Sequence, residues 1–189
     1  VYPIARIVTF KDVIAANGNP EWAIQTHEGN VWLDRKKDAW LNPYNRDAWE
    51  YLVAIAKEAA EKGFYEVQFD YVRFPTDGPR EQIDYGEAGE QETMAEAIAA
   101  FLTYAREELK PYGVYVSADI FGLVPIVVDD MRLGQHLETL ATAADILCPM
   151  AYPSHYALGT FGISIPDKAP YPIIYETMLK ARERIEAVE

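Results

Sequence analysis

Four β-branched or aromatic runs recur along the chain, and segments of helical periodicity stand between them. The runs are IARIVTF (Ile4 to Phe10), YEVQFD (Tyr65 to Asp70), GVYVSADIFG (Gly113 to Gly122) and ADILCPMAY (Ala144 to Tyr152). Such side chains suit a pleated, half-buried surface. Asn45 is placed to cap RDAWEYLVAIAKEAAEK, which stops at Gly63. There Ala48, Leu52, Ile55, Ala56 and Ala59 fall on one face. Thr93 to Glu96 reads as a capping box. It opens a helix with Met94, Ile98, Phe101, Leu102, Ala105 and Leu109 inward, ended by Pro111 and Gly113. Further helices are expected over Met131 to Ala143 and from about Tyr175 to Val188. Strand–helix alternation of this kind demands a parallel sheet with helices packed outside it, the α/β class.

A chain of 189 residues, half of them apolar, makes one domain with a sizeable core. Its net charge of −13 argues against a nucleic-acid or anionic-membrane partner. The longest apolar runs are far too short to span a bilayer, so no membrane insertion is expected. Cys148 stands alone, so no intramolecular disulfide forms. Val1 leads straight into VYPIARIVTF with no basic leader, and no signal peptide is read in this chain. The histidines are His27, His136 and His155, with no His-x-x-x-His or Cys/His spacing, so neither a metal nor another cofactor is expected.

Two connections are long. Residues 11–44 carry Trp22, Trp32, Trp40 and Tyr44, and residues 75–91 are glycine-rich and acidic. Both follow the C-terminal end of a strand, the face where parallel α/β folds bind ligands. The tryptophans read first as core, with one or two free to stack on a sugar face.

Side chains alternate along a strand. Val67 and Phe69 therefore share one face of the second run, and Glu66, Gln68 and Asp70 share the other. Tyr115, Ser117 and Asp119 alternate with Val114, Val116 and Ala118 in the third. Asp70 and Asp119 then end successive strands on the same side. An aspartate at a strand end is often a turn or cap residue, and Asp70 has Arg73 nearby to pair with. Two such residues at equivalent strand ends point instead to a site. The fourth run ends in Met150, Tyr152 and His155, and the first carries Arg6 with Lys11 just beyond. Paired carboxylates near aromatic residues fit glycoside hydrolysis, one acting as nucleophile and the other as general acid/base. On adjacent strands about 4.8 Å apart they can reach about 5–5.5 Å, the separation of retaining enzymes.

YPIARIVTFKD, WLNPYNRDAWEYLVAIAKEAAEKGF, EVQFDYVRFPTDG, PYGVYVSADIFGL and CPMAYPSHYALGTFG together resemble a bacterial glycosyl hydrolase domain family of unknown function. That family is similar to the α-amylase and α-galactosidase superfamilies of TIM barrels. The resemblance implies a partial (β/α)8 barrel, with this chain supplying strands three to six and their helices. It implies a carbohydrate substrate, a secreted or cell-envelope setting, and Asp70 as nucleophile. Asp119 takes the acid/base position, where α-amylase-like members usually have Glu. The sixth strand ends without a carboxylate, which disfavours the α-galactosidase-like arrangement. Arg73 is expected to hold a carboxylate or a substrate hydroxyl. Tyr152 and His155 are expected to line the sugar site, and Arg6, Lys11 and Tyr71 complete the substrate-binding set. Four strands would leave both sheet edges and the inner surface open, so the chain is expected to be part of a longer barrel or to self-associate. A rival reading is a non-catalytic carbohydrate- or cell-wall-binding barrel, in which the two carboxylates diverge or are neutralised by arginine. A phosphate-binding barrel has no glycine-rich loop here to support it.

Overall fold

The structure is a computed structural model and describes residues 1–187. Strands β1 (Ile4–Val8), β2 (Glu66–Asp70), β3 (Tyr115–Phe121) and β4 (Ile146–Met150) form one parallel sheet in chain order. Arg6 pairs with Gln68, Val8 with Asp70, Gln68 with Ser117 and Asp119 with Cys148. Residues paired in parallel point to the same side. One face therefore carries Arg6, Glu66, Gln68, Asp70, Ser117, Asp119 and Cys148. The other carries Val67, Phe69, Val116, Ala118 and Ile120, all fully buried. Helices cover that apolar face, as a partial TIM barrel requires.

Helix α1 (Arg46–Glu61) is capped by Asn45, whose Oδ1 accepts the Ala48 N–H at 2.9 Å. It buries Ala48, Trp49, Leu52, Val53 and Ala56, whereas Ile55 and Ala59 of the expected face are only half-buried. Helix α2 (Met94–Leu109) opens on a complete Thr93–Glu96 capping box. Its Phe101 sits 5.1 Å from Phe10, 5.2 Å from Phe69 and 5.5 Å from Trp49, ring centre to ring centre. This aromatic cluster joins sheet, α1 and α2 in one core.

Two helices differ from the sequence expectation. α3 (Leu137–Ala143) begins six residues later than Met131. Asp129 and Asp130 accept the N–H groups of Met131 and Arg132 at 3.0 and 2.9 Å, which offers the backbone a turn in place of a helix. Met131 and Arg132 are left-handed (φ 53° and 55°), and Gly134 (φ 76°) lies so close to α2 that a Cβ would meet Met94 O at 2.5 Å. α4 (Pro170–Ile185) starts earlier than Tyr175, because prolines in a first turn forfeit no helical hydrogen bond. Its expected end at Val188 lies outside the described residues.

The two long connections clasp one another. Gln25–Thr26 pairs antiparallel with Ile83–Asp84, and Trp32 Nε1 donates to Pro79 O at 3.0 Å. Trp32 and Trp40 are buried, so they build the loop rather than a sugar platform. Lys11, expected at the substrate site, is turned into this loop. Its Nζ lies 2.7 Å from Asp34 and 3.0 Å from Asp38, so its charge is spent on holding residues 11–44. Burial alone would raise the Asp34 carboxyl. Lys11, the Asp38 N–H, Trp40 Nε1 and the Lys36 N–H outweigh it and hold the carboxyl down at about 2.

The inner face has no such cover. Ile4, Val8, Tyr115 and Ile146 on it are exposed. No helix among the described residues is long and apolar enough to cross a membrane.

A carboxyl held at about 2 against an ordinary 3.8 stabilises the fold fully above pH 3.8, and the contribution is lost as pH falls through about 2. The difference corresponds to ~2 kcal/mol. Asp34→Asn should lower stability by that order at neutral pH, measured by urea denaturation. The variant should also lack the acid-side loss that the native chain shows between those two pH values.

Candidate active site

The C-terminal ends of the strands open into a cleft of about 540 Å³. Asp70 is the last residue of β2, and its Oδ1 accepts the Tyr71 N–H at 2.7 Å. Tyr71 is held at φ 53°, a conformation that non-glycine residues rarely adopt. The chain turns there and leaves the Asp70 carboxylate at the mouth. Asp70 Oδ2 accepts a charge-assisted hydrogen bond from Arg6 Nη2.

Asp119 lies beside Asp70 in register, since Phe69 pairs with Ala118. β3 runs on to Phe121, so Asp119 sits two residues inside its strand rather than at the very end. Its Oδ1 accepts Gln68 Nε2 at 2.9 Å, and its Oδ2 is 3.9 Å from Arg6 Nε. Burial and then the charge of Asp70 push the Asp119 carboxyl up to about 6, against the opposing pull of Arg6 and Gln68. The two carboxylates thus meet on one guanidinium.

Arg6, Asp70, Tyr71, Arg73, Tyr152 and His155 all line the cleft. Asp119 is not on its wall and reaches it through Arg6. Lys11 is absent from the wall for the reason given above. Arg73 pairs with neither Asp70 nor any other carboxylate among the described residues. Its Nη1 donates to Phe74 O at 2.8 Å, and its guanidinium packs among Trp40, Tyr71 and Phe121. Tyr152 and His155 stand edge to face, with ring centres 5.3 Å apart, on the exposed rim.

Phe121, Gly122, Met131 and Tyr156 also line the cleft and were not foreseen. Alternation from Asp119 would have placed Phe121 on the inner face. Gly122 lets β3 approach β4, since a Cβ there would meet Met150 O at 2.4 Å. Tyr156 OH donates to Gly122 O at 2.8 Å and accepts from Thr177 Oγ1 at 2.9 Å, which ties the rim to α4. Among the described residues no cluster of three or more His, Cys, Asp or Glu side chains could hold a metal ion.

Comparison with known proteins gives a consistent frame. A hypothetical protein from Ruminiclostridium thermocellum is similar at 45% identity over 63% of this chain and 58% of its own, with a TM-score of 0.56. The PgaB (BpsB) glycoside hydrolase domain from Bordetella bronchiseptica matches 96% of this chain and 57% of its own, at 15% identity and a TM-score of 0.61. The spore cortex-lytic enzyme SleL from Bacillus megaterium matches 76% of this chain and 28% of its own, at 19% identity and a TM-score of 0.50. At these identities the last two show the shared fold. The chain spans less than two thirds of each of these structures. No curated protein matches it. Over residues 1–189 it matches the family described as "Putative glycosyl hydrolase domain", and it belongs to that family.

Proposed function

We propose that this chain carries the catalytic carboxylates of a glycoside hydrolase acting on a polysaccharide or oligosaccharide with retention. One observation carries the reading: Asp70 on the cleft wall and Asp119 just behind it meet on Arg6, and burial beside Asp70 raises the Asp119 carboxyl to about 6. A carboxyl raised in this way beside a second carboxylate suits the acid of an acid and nucleophile pair. Asp70 attacks the anomeric carbon as the glycosidic C–O bond breaks, and Asp119 gives its proton to the leaving oxygen. Water then attacks the glycosyl ester, its proton passes to Asp119, and Asp70 is released. Arg6 holds both side chains in place, and Tyr71, Arg73, Tyr152 and His155 contact the sugar.

The non-catalytic carbohydrate-binding barrel is favoured by the same Arg6 contact, because the guanidinium neutralises Asp70. Turnover separates the two readings. The open inner face with exposed Ile4, Val8, Tyr115 and Ile146 supports a further element, that these four units complete a longer barrel or pair with a second copy. A chain lacking that cover would have little activity alone. A cell-envelope or exported setting belongs to the same proposal, by analogy with the spore cortex-lytic enzyme SleL that shares the fold.

In the intact parent protein, Asp70→Asn should lower turnover by about three orders of magnitude or more and leave the circular dichroism spectrum unchanged. Native-like turnover in that variant would remove the nucleophile assignment. The acid must be protonated, so kcat/KM should fall as pH rises through about 6. Arg6 pulls the Asp119 carboxyl down, so Arg6→Met should shift that alkaline limb to higher pH. A limb that stays in place would detach Asp119 from the proton transfer. Light scattering on the 189-residue chain should show association. A well-behaved monomer with full activity would sink the half-barrel reading.

A further inference from the structure

The cleft wall carries three formally charged side chains, Arg6, Asp70 and Arg73. Arg6 and Asp70 satisfy each other. Arg73 is left over. It is only 8% exposed, and no carboxylate among the described residues lies within ion-pair distance of it. Burial pulls its pKa down, against the weaker opposing influence of Tyr71 and then of Asp70, Asp77 and Asp34 from farther off. A buried cation without a partner is costly and normally paired.

Its orientation narrows what could complete the pair. The guanidinium carbon is 4.9 Å from the centre of the Phe121 ring, 5.0 Å from Trp40 and 5.2 Å from Tyr71. Those rings surround the group, and Nη1 is taken by Phe74 O. No side-chain nitrogen or oxygen among the described residues is both sealed from solvent and unpartnered. The Nε and Nη2 donors, which have no protein partner, are therefore open, and the open space beside Arg73 is the cleft. Nε and Nη2 form the edge of arginine that matches a carboxylate bidentately. Arg184 uses that edge on Glu138 in this same chain, with Nε to Oε1 at 2.6 Å and Nη2 to Oε2 at 2.5 Å.

We propose that the cleft takes a carboxylate-bearing sugar, such as a hexuronic acid unit, and that Arg73 Nε and Nη2 bind its carboxylate. This rests on the reading of the cleft as a glycan site. The arginine then selects among glycans, because a neutral sugar in its place leaves a buried charge unpaired.

The test is calorimetric titration of the intact protein with thio-linked tetrasaccharides, which resist cleavage and leave Asp70 and Arg6 unaltered. Tetramers of galacturonic, glucuronic and mannuronic acid are compared with those of galactose, glucose and mannose, and with O-sulfated forms of the neutral set. At least one acidic tetramer should bind about 10-fold or more tighter than its neutral counterpart. Arg73→Met, which keeps an unbranched stem between the rings, should erase that preference. Arg73→Lys, which keeps the charge but loses the fork, should reduce it. Equal affinity within all three pairs, no binding of any acidic tetramer, or a preference that survives in both variants would overturn the proposal. Tighter binding of sulfated than of carboxylated tetramers would overturn the choice of carboxylate. Cleavage of ordinary neutral glycans without acidic preference would sink the acidic-sugar assignment and leave the hydrolase reading standing. Acidic-glycan binding without cleavage would do the reverse.

Discussion

Arg6 is the residue on which the mouth of this sheet depends. The register sets Asp70 and Asp119 side by side on neighbouring strands, each largely withdrawn from water. Two carboxylates so placed repel, and burial disfavours the charge of each. The guanidinium on β1 touches Asp70 and lies within 3.9 Å of Asp119, so one cation serves both. The arrangement works only because β1, β2 and β3 are parallel and in register. A slip of one residue in β1 would send Arg6 to the face where Val67, Phe69 and Ala118 pack under the helices.

The walls of the cleft come from a second, independent set of interactions. Asp34 collects Lys11, Trp40 Nε1 and two backbone N–H groups, which fixes the loop of residues 11–44 above β1. Trp40, placed by that network, then becomes one side of the enclosure around Arg73. Lys11 therefore acts on the cleft without touching it. Its 5.5 Å approach to the Trp40 ring adds a cation–π contact to the same assembly.

Local rules made much of this legible in the sequence. Alternation separated the face of Asp70 and Asp119 from the face of Val67 and Phe69, and the caps at Asn45 and Thr93 marked the starts of α1 and α2. What stayed hidden was pairing across sequence distance. Asp70 has Arg73 three residues away, yet its partner is Arg6, 64 residues distant. Lys11 stands just past a strand end, where a cation could turn into the cleft or back into its loop. Its partner Asp34 lies 23 residues on, and no periodicity reveals it. The late start of α3 has a more local cause. Asp129 and Asp130 were available as turn-makers, but an apolar pattern over Met131 to Ala143 outweighs them unless the close approach of Gly134 to α2 is known.

The charge distribution ties these levels together. A chain of net charge −13 repels polyanions at long range. Within the cleft the balance reverses, because the wall presents two arginines and one aspartate. One arginine is committed to keeping two acidic groups at close quarters, and the other is sealed among aromatic rings with one edge free. Screening by salt weakens the long-range repulsion far more than it weakens contacts at a partly buried guanidinium. The fold thus separates a negative exterior from a short-range positive edge, and any selectivity for charge belongs to the geometry of Arg73 rather than to the field of the whole molecule.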